Sequence, residues 1–238
     1  MLKAVWQQYF PPKPTFTAED VAPGSQVGKV FIVTGANQGI GFELVKILYP
    51  TGAAIYLAGR SHERVEAAIK QVVDSHKPAP ATPAQLKFLH LDLSDLTTIK
   101  ASAAAFAGQE NKLDVLWNNA GIGGNPVGTT TRQNIEGHVG IKYVAPLMFT
   151  QELLPKLQQA AKSAPPCAVR VVWTGSLMIE TFAPPGGLTF DTIENSSTQN
   201  STRDYAARKL AIGILPLKRP NDGESSALSA SCKTLGIF

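Results

Sequence analysis

The run Val30-Phe31-Ile32-Val33 passes without a break into Thr34-Gly35-Ala36-Asn37-Gln38-Gly39-Ile40-Gly41, and an amphipathic pattern follows. Four consecutive β-branched or aromatic residues bounded by a glycine turn fit a strand buried on both faces. The glycines let the chain turn tightly and approach a ligand closely, and the next helix offers free amides at its N-terminus. Strand, glycine turn and helix in that order can cradle a pyrophosphate, which makes Gly35, Asn37, Gln38, Gly39, Ile40 and Gly41 candidate cofactor-binding residues. A glycine triplet also ends ordinary strands, so its meaning depends on its surroundings.

Those surroundings alternate. Candidate strands fall at Val30–Thr34, Ala54–Ala58, Leu86–Leu91, Val115–Trp117 and Val169–Thr174. Helical periodicity runs through Ile40–Tyr49, Arg64–Val73, Leu96–Phe106 and Gly140–Ala161. Short strands separated by helices long enough for right-handed crossovers predict an α/β fold, a Rossmann-like three-layer sandwich with a parallel sheet in the order 3-2-1-4-5. At 238 residues, 44% hydrophobic and 17% charged, the chain suits one domain and excludes disordered, collagen-like and coiled-coil classes. The formal charge of +4 is spread without a basic run, which gives no support to nucleic-acid binding. Cys167 and Cys232 offer neither a disulfide framework nor metal-ligand spacing, so no metal is expected. No apolar run reaches the roughly 20 residues of a membrane span and no secretory signal opens the chain, which makes the cytoplasm the expected compartment.

The expected carboxyl ends of the strands carry the remaining signals. After the second strand stands Ala58-Gly59-Arg60-Ser61, where a carboxylate would hold the ribose 2′-hydroxyl of NAD. Arg60 can instead pair with a 2′-phosphate, and the missing acid removes the repulsion against it, so NADP is favoured over NAD. Asp92-Leu93 follows the third strand and Asn118-Asn119-Ala120-Gly121 the fourth. With these residues in this order the sequence resembles the short-chain dehydrogenase/reductase family over about residues 29 to 212. The pattern is TGxxxGIG, DL, NNAG, a serine after strand five, then YxxxK. Its wording, with Val171-Val172-Trp173-Thr174-Gly175-Ser176 and a long serine-to-tyrosine insert, is similar to fungal members and the retinol-dehydrogenase-like branch.

The resemblance implies cofactor contacts from Asp92, Leu93, Asn119, Ala120 and Gly121, and catalysis by Ser176, Tyr205 and Lys209. Tyr205 and Lys209 are spaced to sit one helical turn apart on the same face. A phenol that ionises near about pH 10 is a poor acid or base at neutrality, but an adjacent ammonium favours the phenolate. Tyr205 would then exchange the proton, Lys209 would also hold the nicotinamide ribose, and Ser176 would orient the substrate oxygen or merely cap a turn. The implied activity is hydride transfer between the nicotinamide and a small-molecule carbonyl or alcohol, with fungal secondary metabolism as the setting.

Two departures qualify this. Aligning His138 through Thr150 puts Lys142 where the family places a helix-kinking asparagine that anchors a relay water, and lysine cannot accept a hydrogen bond as asparagine does. Beyond Lys209 the family's later strands are not readable, and Lys218–Ser231 is polar and serine-rich. The expectation is an altered or truncated C-terminus, with strand five at an exposed edge and a catalytically impaired nucleotide-binding or regulatory member of the family as the alternative function. The expected division is an arm at residues 1–28, a nucleotide-binding domain at 29–217 and an irregular tail at 218–238. In the arm, Leu2, Val5, Trp6, Tyr9 and Phe10 form an apolar stripe expected to pack on the domain, with an interfacial membrane or partner helix as the second reading. The resemblance also allows a homodimer through the helices at Gly140–Ala161 and Tyr205–Leu215.

Overall fold

The computed structural model of the chain describes residues 6, 9–121, 128–176 and 178. Its elements are β1 (Val30–Thr34), α1 (Gly39–Leu48), β2 (Ala54–Gly59), α2 (His62–Ser75), β3 (Gln85–His90), α3 (Leu96–Ala107) and β4 (Val115–Asn118). A composite helix follows, made of α4 (Gly137–Val139), a π-helical turn (Gly140–Val144) and α5 (Ala145–Ala161), and then β5 (Arg170–Trp173). All strand pairs are parallel in the order β3-β2-β1-β4-β5, as the strand pattern predicts. Each strand limit lies within a residue or two of its sequence-based position.

The pleat explains why the strands read as continuous apolar runs. Val30 and Ile32 face one side, where Ile99, Ala103 and Phe106 of α3 and Phe149, Leu153 and Leu157 of α5 cover them. Phe31 and Val33 face the other, against Val45 of α1 and Val65 and Val72 of α2. A strand buried on both faces has no polar alternation to display. Each fully buried large side chain contributes about 1.5–3 kcal/mol, so these two layers supply most of the driving force.

Two sequence expectations change. The stretch read as one helix from Gly140 to Ala161 contains the π-turn, in which Ala145 N–H donates to Gly140 O, five residues back. The apolar stripe of the arm does not pack on the domain where it is described: Trp6, Tyr9 and Phe10 are 65%, 69% and 62% exposed, with the Trp6 and Phe10 rings 4.4 Å apart. Periodicity marks an apolar face but not what covers it. Among the described residues no helix is long and apolar enough to cross a membrane, and β4 is the only neighbour of β5. Residues beyond Met178, including the expected tail, lie outside the described set.

At the amino-terminal ends of the strands sits Asp114, its side chain 2% exposed. It accepts from Lys29 Nζ at 2.9 Å, from Val30 N–H at 2.9 Å and from Lys112 Nζ at 3.2 Å. Burial works to raise its pKa, but the hydrogen bonds from Lys29, Val30 and Lys112 outweigh it and hold the carboxyl below the ordinary 3.8. The stabilisation is therefore complete above that ordinary value and is lost as pH falls through the depressed native one. Replacement Asp114→Ala should cost about 2–3 kcal/mol in urea unfolding, because it leaves the Val30 amide and the lysines facing an empty site. In Asp114→Asn the loss of stability between neutrality and about pH 3 should be smaller than in the unmodified chain, since this titration is removed.

Candidate active site

The carboxyl ends of the strands meet the loop after β4 through one hydroxyl. Thr34, 2% exposed at the end of β1, accepts from Asn119 N–H at 3.0 Å and Ala120 N–H at 2.9 Å. It donates to Trp117 O at 3.2 Å, while Asn119 Nδ2 donates to Thr34 O at 3.0 Å. The same close approach explains two glycines. Gly35 has φ +66°, and a Cβ there would lie 2.9 Å from Ala120 Cα; a Cβ on Gly41 would lie 2.9 Å from Gly35 O and 2.5 Å from Asn119 Nδ2. A side chain at either position would separate the turn, the helix and the loop.

Around this junction opens a cavity of about 510 Å³ at the carboxyl edge of the sheet, where the strand order reverses between β1 and β4. Gly35, Asn37, Gln38, Gly39, Ile40, Arg60, Asp92, Leu93, Asn119, Ala120, Gly121 and Ser176 all line it. Gly41 stands behind the turn as the packing residue just described. Tyr205 and Lys209 lie outside the described residues. The cavity also takes Ser94, Ile141, Lys142, Thr174 and Gly175 into its wall. Ser94 was legible in principle as the third residue of Asp92-Leu93-Ser94; its hydroxyl and amide both donate to Asp92 Oδ1, at 2.6 and 2.9 Å. Ser176 Oγ accepts from Met178 N–H at 3.3 Å, a turn contact that leaves its own O–H available to a second partner.

Helix ends around the cavity are finished differently. Ser61 caps α2 by accepting from Arg64 N–H, and Asp95 caps α3 by accepting from Thr97 N–H. Hydrogen bonds from Thr97, Gln133 and Arg132 hold the Asp95 carboxyl far below its ordinary pKa, and they fasten the 131–136 loop to α3. By contrast α1 has no side-chain cap from Gln38 and no acidic residue in its first turn. Gln38, Gly39 and Ile40 at this end line the cavity, and an anion there would find leading amides that Gln38 does not cap. Arg60, exposed at the cavity rim, has no ion-pair partner among the described residues. Among those residues no cluster of His, Cys, Asp and Glu could hold a metal.

The family model for short chain dehydrogenase matches residues 29–169. Over 235 residues the chain is 54% identical to the short-chain dehydrogenase/reductase iacJ of Pestalotiopsis fici, across 99% of this chain and 72% of that protein. A short-chain dehydrogenase/reductase of Phomopsis amygdali is 39% identical over 209 residues, 88% of this chain and 61% of the relative. The NADP active-site complex of Pseudomonas aeruginosa RhlG matches the fold with TM-score 0.59 at 22% identity, over 82% of this chain and 67% of that one. The chain belongs to the short-chain dehydrogenase/reductase family, whose members are oxidoreductases that bind a nicotinamide cofactor. The α1 end without a side-chain cap from Gln38, the glycine-lined approach and the cavity at the switch point fit such a dinucleotide.

The Thr34 bridge can be tested directly. Thr34→Val keeps the shape but removes the acceptor of two loop amides, and should lower stability by about 2–4 kcal/mol in denaturant unfolding. Dinucleotide affinity, followed by fluorescence titration, should fall in the same variant because the loop that lines the cavity is no longer held.

Proposed function

We propose that this chain is an NADP-dependent oxidoreductase that acts on a carbonyl or secondary alcohol of a small molecule. The observation that carries the cofactor choice is Arg60, a guanidinium without an ion-pair partner among the described residues at the end of β2, where a carboxylate would select NAD. Gln38, Gly39 and Ile40 at the open end of α1 would hold the pyrophosphate, Asp92 and Leu93 the adenine side, and Asn119 to Gly121 the ribose beyond it. When bound, the nicotinamide supplies or accepts the hydride. Ser176 would then donate a hydrogen bond to the substrate oxygen, and Tyr205 would give that oxygen its proton in reduction or remove it in oxidation. Lys209 would keep Tyr205 in an ionisable state and bind the nicotinamide ribose. Roles for Tyr205 and Lys209 rest on the family's YxxxK spacing alone.

In this reading residues 29–217 form the nucleotide-binding domain, flanked by an arm at 1–28 and a tail at 218–238, and the protein works in the cytoplasm. Fungal relatives support a role in secondary metabolism, and a homodimer through the long helices accords with the family. A second reading, a nucleotide-binding member without turnover, is favoured by Lys142 in the cavity wall where the family places asparagine. Nucleotide titration beside a turnover assay separates the two, since tight NADPH binding without carbonyl reduction supports the second.

Arg60→Asp should reverse or abolish a preference for NADPH over NADH, by replacing attraction to the 2′-phosphate with repulsion. Equal affinities for the two nucleotides in the unmodified chain would overturn the cofactor choice. Tyr205→Phe should remove nearly all turnover and leave nucleotide affinity similar, because only the transferable proton is deleted.

A further inference from the structure

The aromatic residues of the arm take no part in the core or in the cavity wall. Trp6, Tyr9, Phe10 and Phe16 are each between 62% and 69% exposed. Phe10 N–H donates to Trp6 O at 2.9 Å, and this helical turn brings the two rings within 4.4 Å of each other. Pro11, Pro12 and Pro14 stop the turn there, because proline has no N–H to donate and fixes its own φ. Every residue from 9 to 20 is exposed, so this segment is not packed into the domain. The arm is fastened further on, where Gly24 N–H donates to Pro50 O and Gln26 N–H to Thr51 O, both at 2.9 Å. Pro50 and Thr51 stand just before β2, whereas the cavity opens at the carboxyl edge of the sheet. The arm is thus tied to the end of the sheet opposite the cavity.

The chemistry of the segment identifies what it meets. Residues 1–18 contain Lys3 and Lys13 and no Asp or Glu. The first carboxylates are Glu19 and Asp20, and Asp20 accepts from Thr17 N–H at 2.6 Å and from the Thr17 hydroxyl at 3.0 Å. Tryptophan and tyrosine join an apolar ring to a polar tip, which suits the boundary between water and hydrocarbon. Lysine can lay its stem along that boundary and keep its head in water. Rings beside lysines, with no carboxylate among them, match an anionic bilayer surface such as the cytoplasmic leaflet presents. A groove on a protein would take the rings of one helix face, and Phe16, beyond the proline break, would fall outside it. A bilayer surface accepts rings on both sides of the break. Among the described residues no helix is long and apolar enough to cross a membrane, and the arm is suited to lying on one.

We propose that the arm docks this protein onto an anionic phospholipid surface, with Trp6, Tyr9, Phe10 and Phe16 entering the interface and Lys13 paired with the lipid headgroups. Because the arm is held at the far end of the sheet, docking leaves the cavity free to take its own ligand. The inference stands apart from the cofactor reading, since none of the four rings lines the cavity.

The test is flotation of the full chain with vesicles of phosphatidylcholine alone, or mixed with phosphatidylserine in a ratio of about 7 to 3. The mixed vesicles should bind the chain at least about tenfold more tightly, because each lysine near such a surface contributes about fivefold. Replacing Trp6 and Phe10 together by Ala should weaken binding to the mixed vesicles at least about tenfold. Lys13→Gln should weaken it about fivefold at low salt and hardly at all at high salt, where the headgroup charge is screened. Both variants should unfold at the same urea concentration as the unmodified chain, since the replaced side chains are exposed. Should either unfold earlier, Phe16→Ser takes its place under the same criteria. NADP+ should not release the chain from the vesicles. No binding to the mixed vesicles, equal binding to both kinds, or binding undiminished in the double variant would each overturn the proposal. So would release by NADP+, which would put the lipid in the cavity, or a lipid-free dimer that depends on Trp6 and Phe10, which would make a second copy the partner of the rings.

Discussion

The hydroxyl of Thr34 is where the two halves of this sheet become one site. By accepting from both Asn119 and Ala120 it fixes the loop after β4 against the turn after β1, at the place where the strand order reverses. The position of Gly35 beneath Ala120 follows from that contact, as does the approach of Gly41 to Asn119, and with them the direction in which α1 leaves the sheet. The cavity is what remains between elements drawn together at this point. Gly35, Gly39, Gly59, Gly121 and Gly175 are among its lining residues, and glycines let a ligand whose phosphates are read by amides come close to the backbone.

Charge is placed with the same economy at the two ends of the sheet. Asp114 ties Lys29, Lys112 and the first amide of β1 at the amino-terminal ends, far from the cavity. Near the carboxyl ends Asp95 and Ser61 close α3 and α2, whereas α1 is left open. A helix whose leading amides have no side-chain partner is tolerable where water or an anion can reach it. The contrast among three neighbouring helices distinguishes the end that faces a ligand from the ends that only need finishing.

Much of this was legible in the sequence because the signals are local. A strand such as Val30–Thr34 is an uninterrupted apolar run between turn residues, and the glycines after it report tight packing that a Cβ would prevent. That residues from Gly35 to Gly121 would meet around one cavity was readable because each group follows a strand, and the ends of parallel strands converge. The π-turn was not readable, since hydrogen bonds from i to i+5 leave no mark on the apolar spacing of residues 140–161. Lys142 could be seen as a departure from a family pattern, but its burial and its bond to His138 depend on how that turn is wound. Thr174 and Gly175 join the wall only because β5 ends beside β4. The exposure of Trp6, Tyr9 and Phe10 depends on what stands opposite them, which periodicity does not encode.

The π-turn has a further consequence in angular terms. Successive residues of an α-helix advance about 100° around its axis, so accommodating one extra residue in a turn offsets everything before it from everything after it by roughly that amount. Phe149, Leu153 and Leu157 follow a regular stripe into the core, yet every residue from Gly137 to Lys142 is buried in succession. A regular helix could not bury six consecutive positions against a single partner layer. Here the wide turn changes the phase between two segments, so that Ile141 and Lys142 reach the cavity wall while Phe149, Leu153 and Leu157 keep to the core. Deleting a single residue other than Lys142 from Gly140–Val144 would bring the segments back into phase, and would turn Lys142 away from the cavity without altering it.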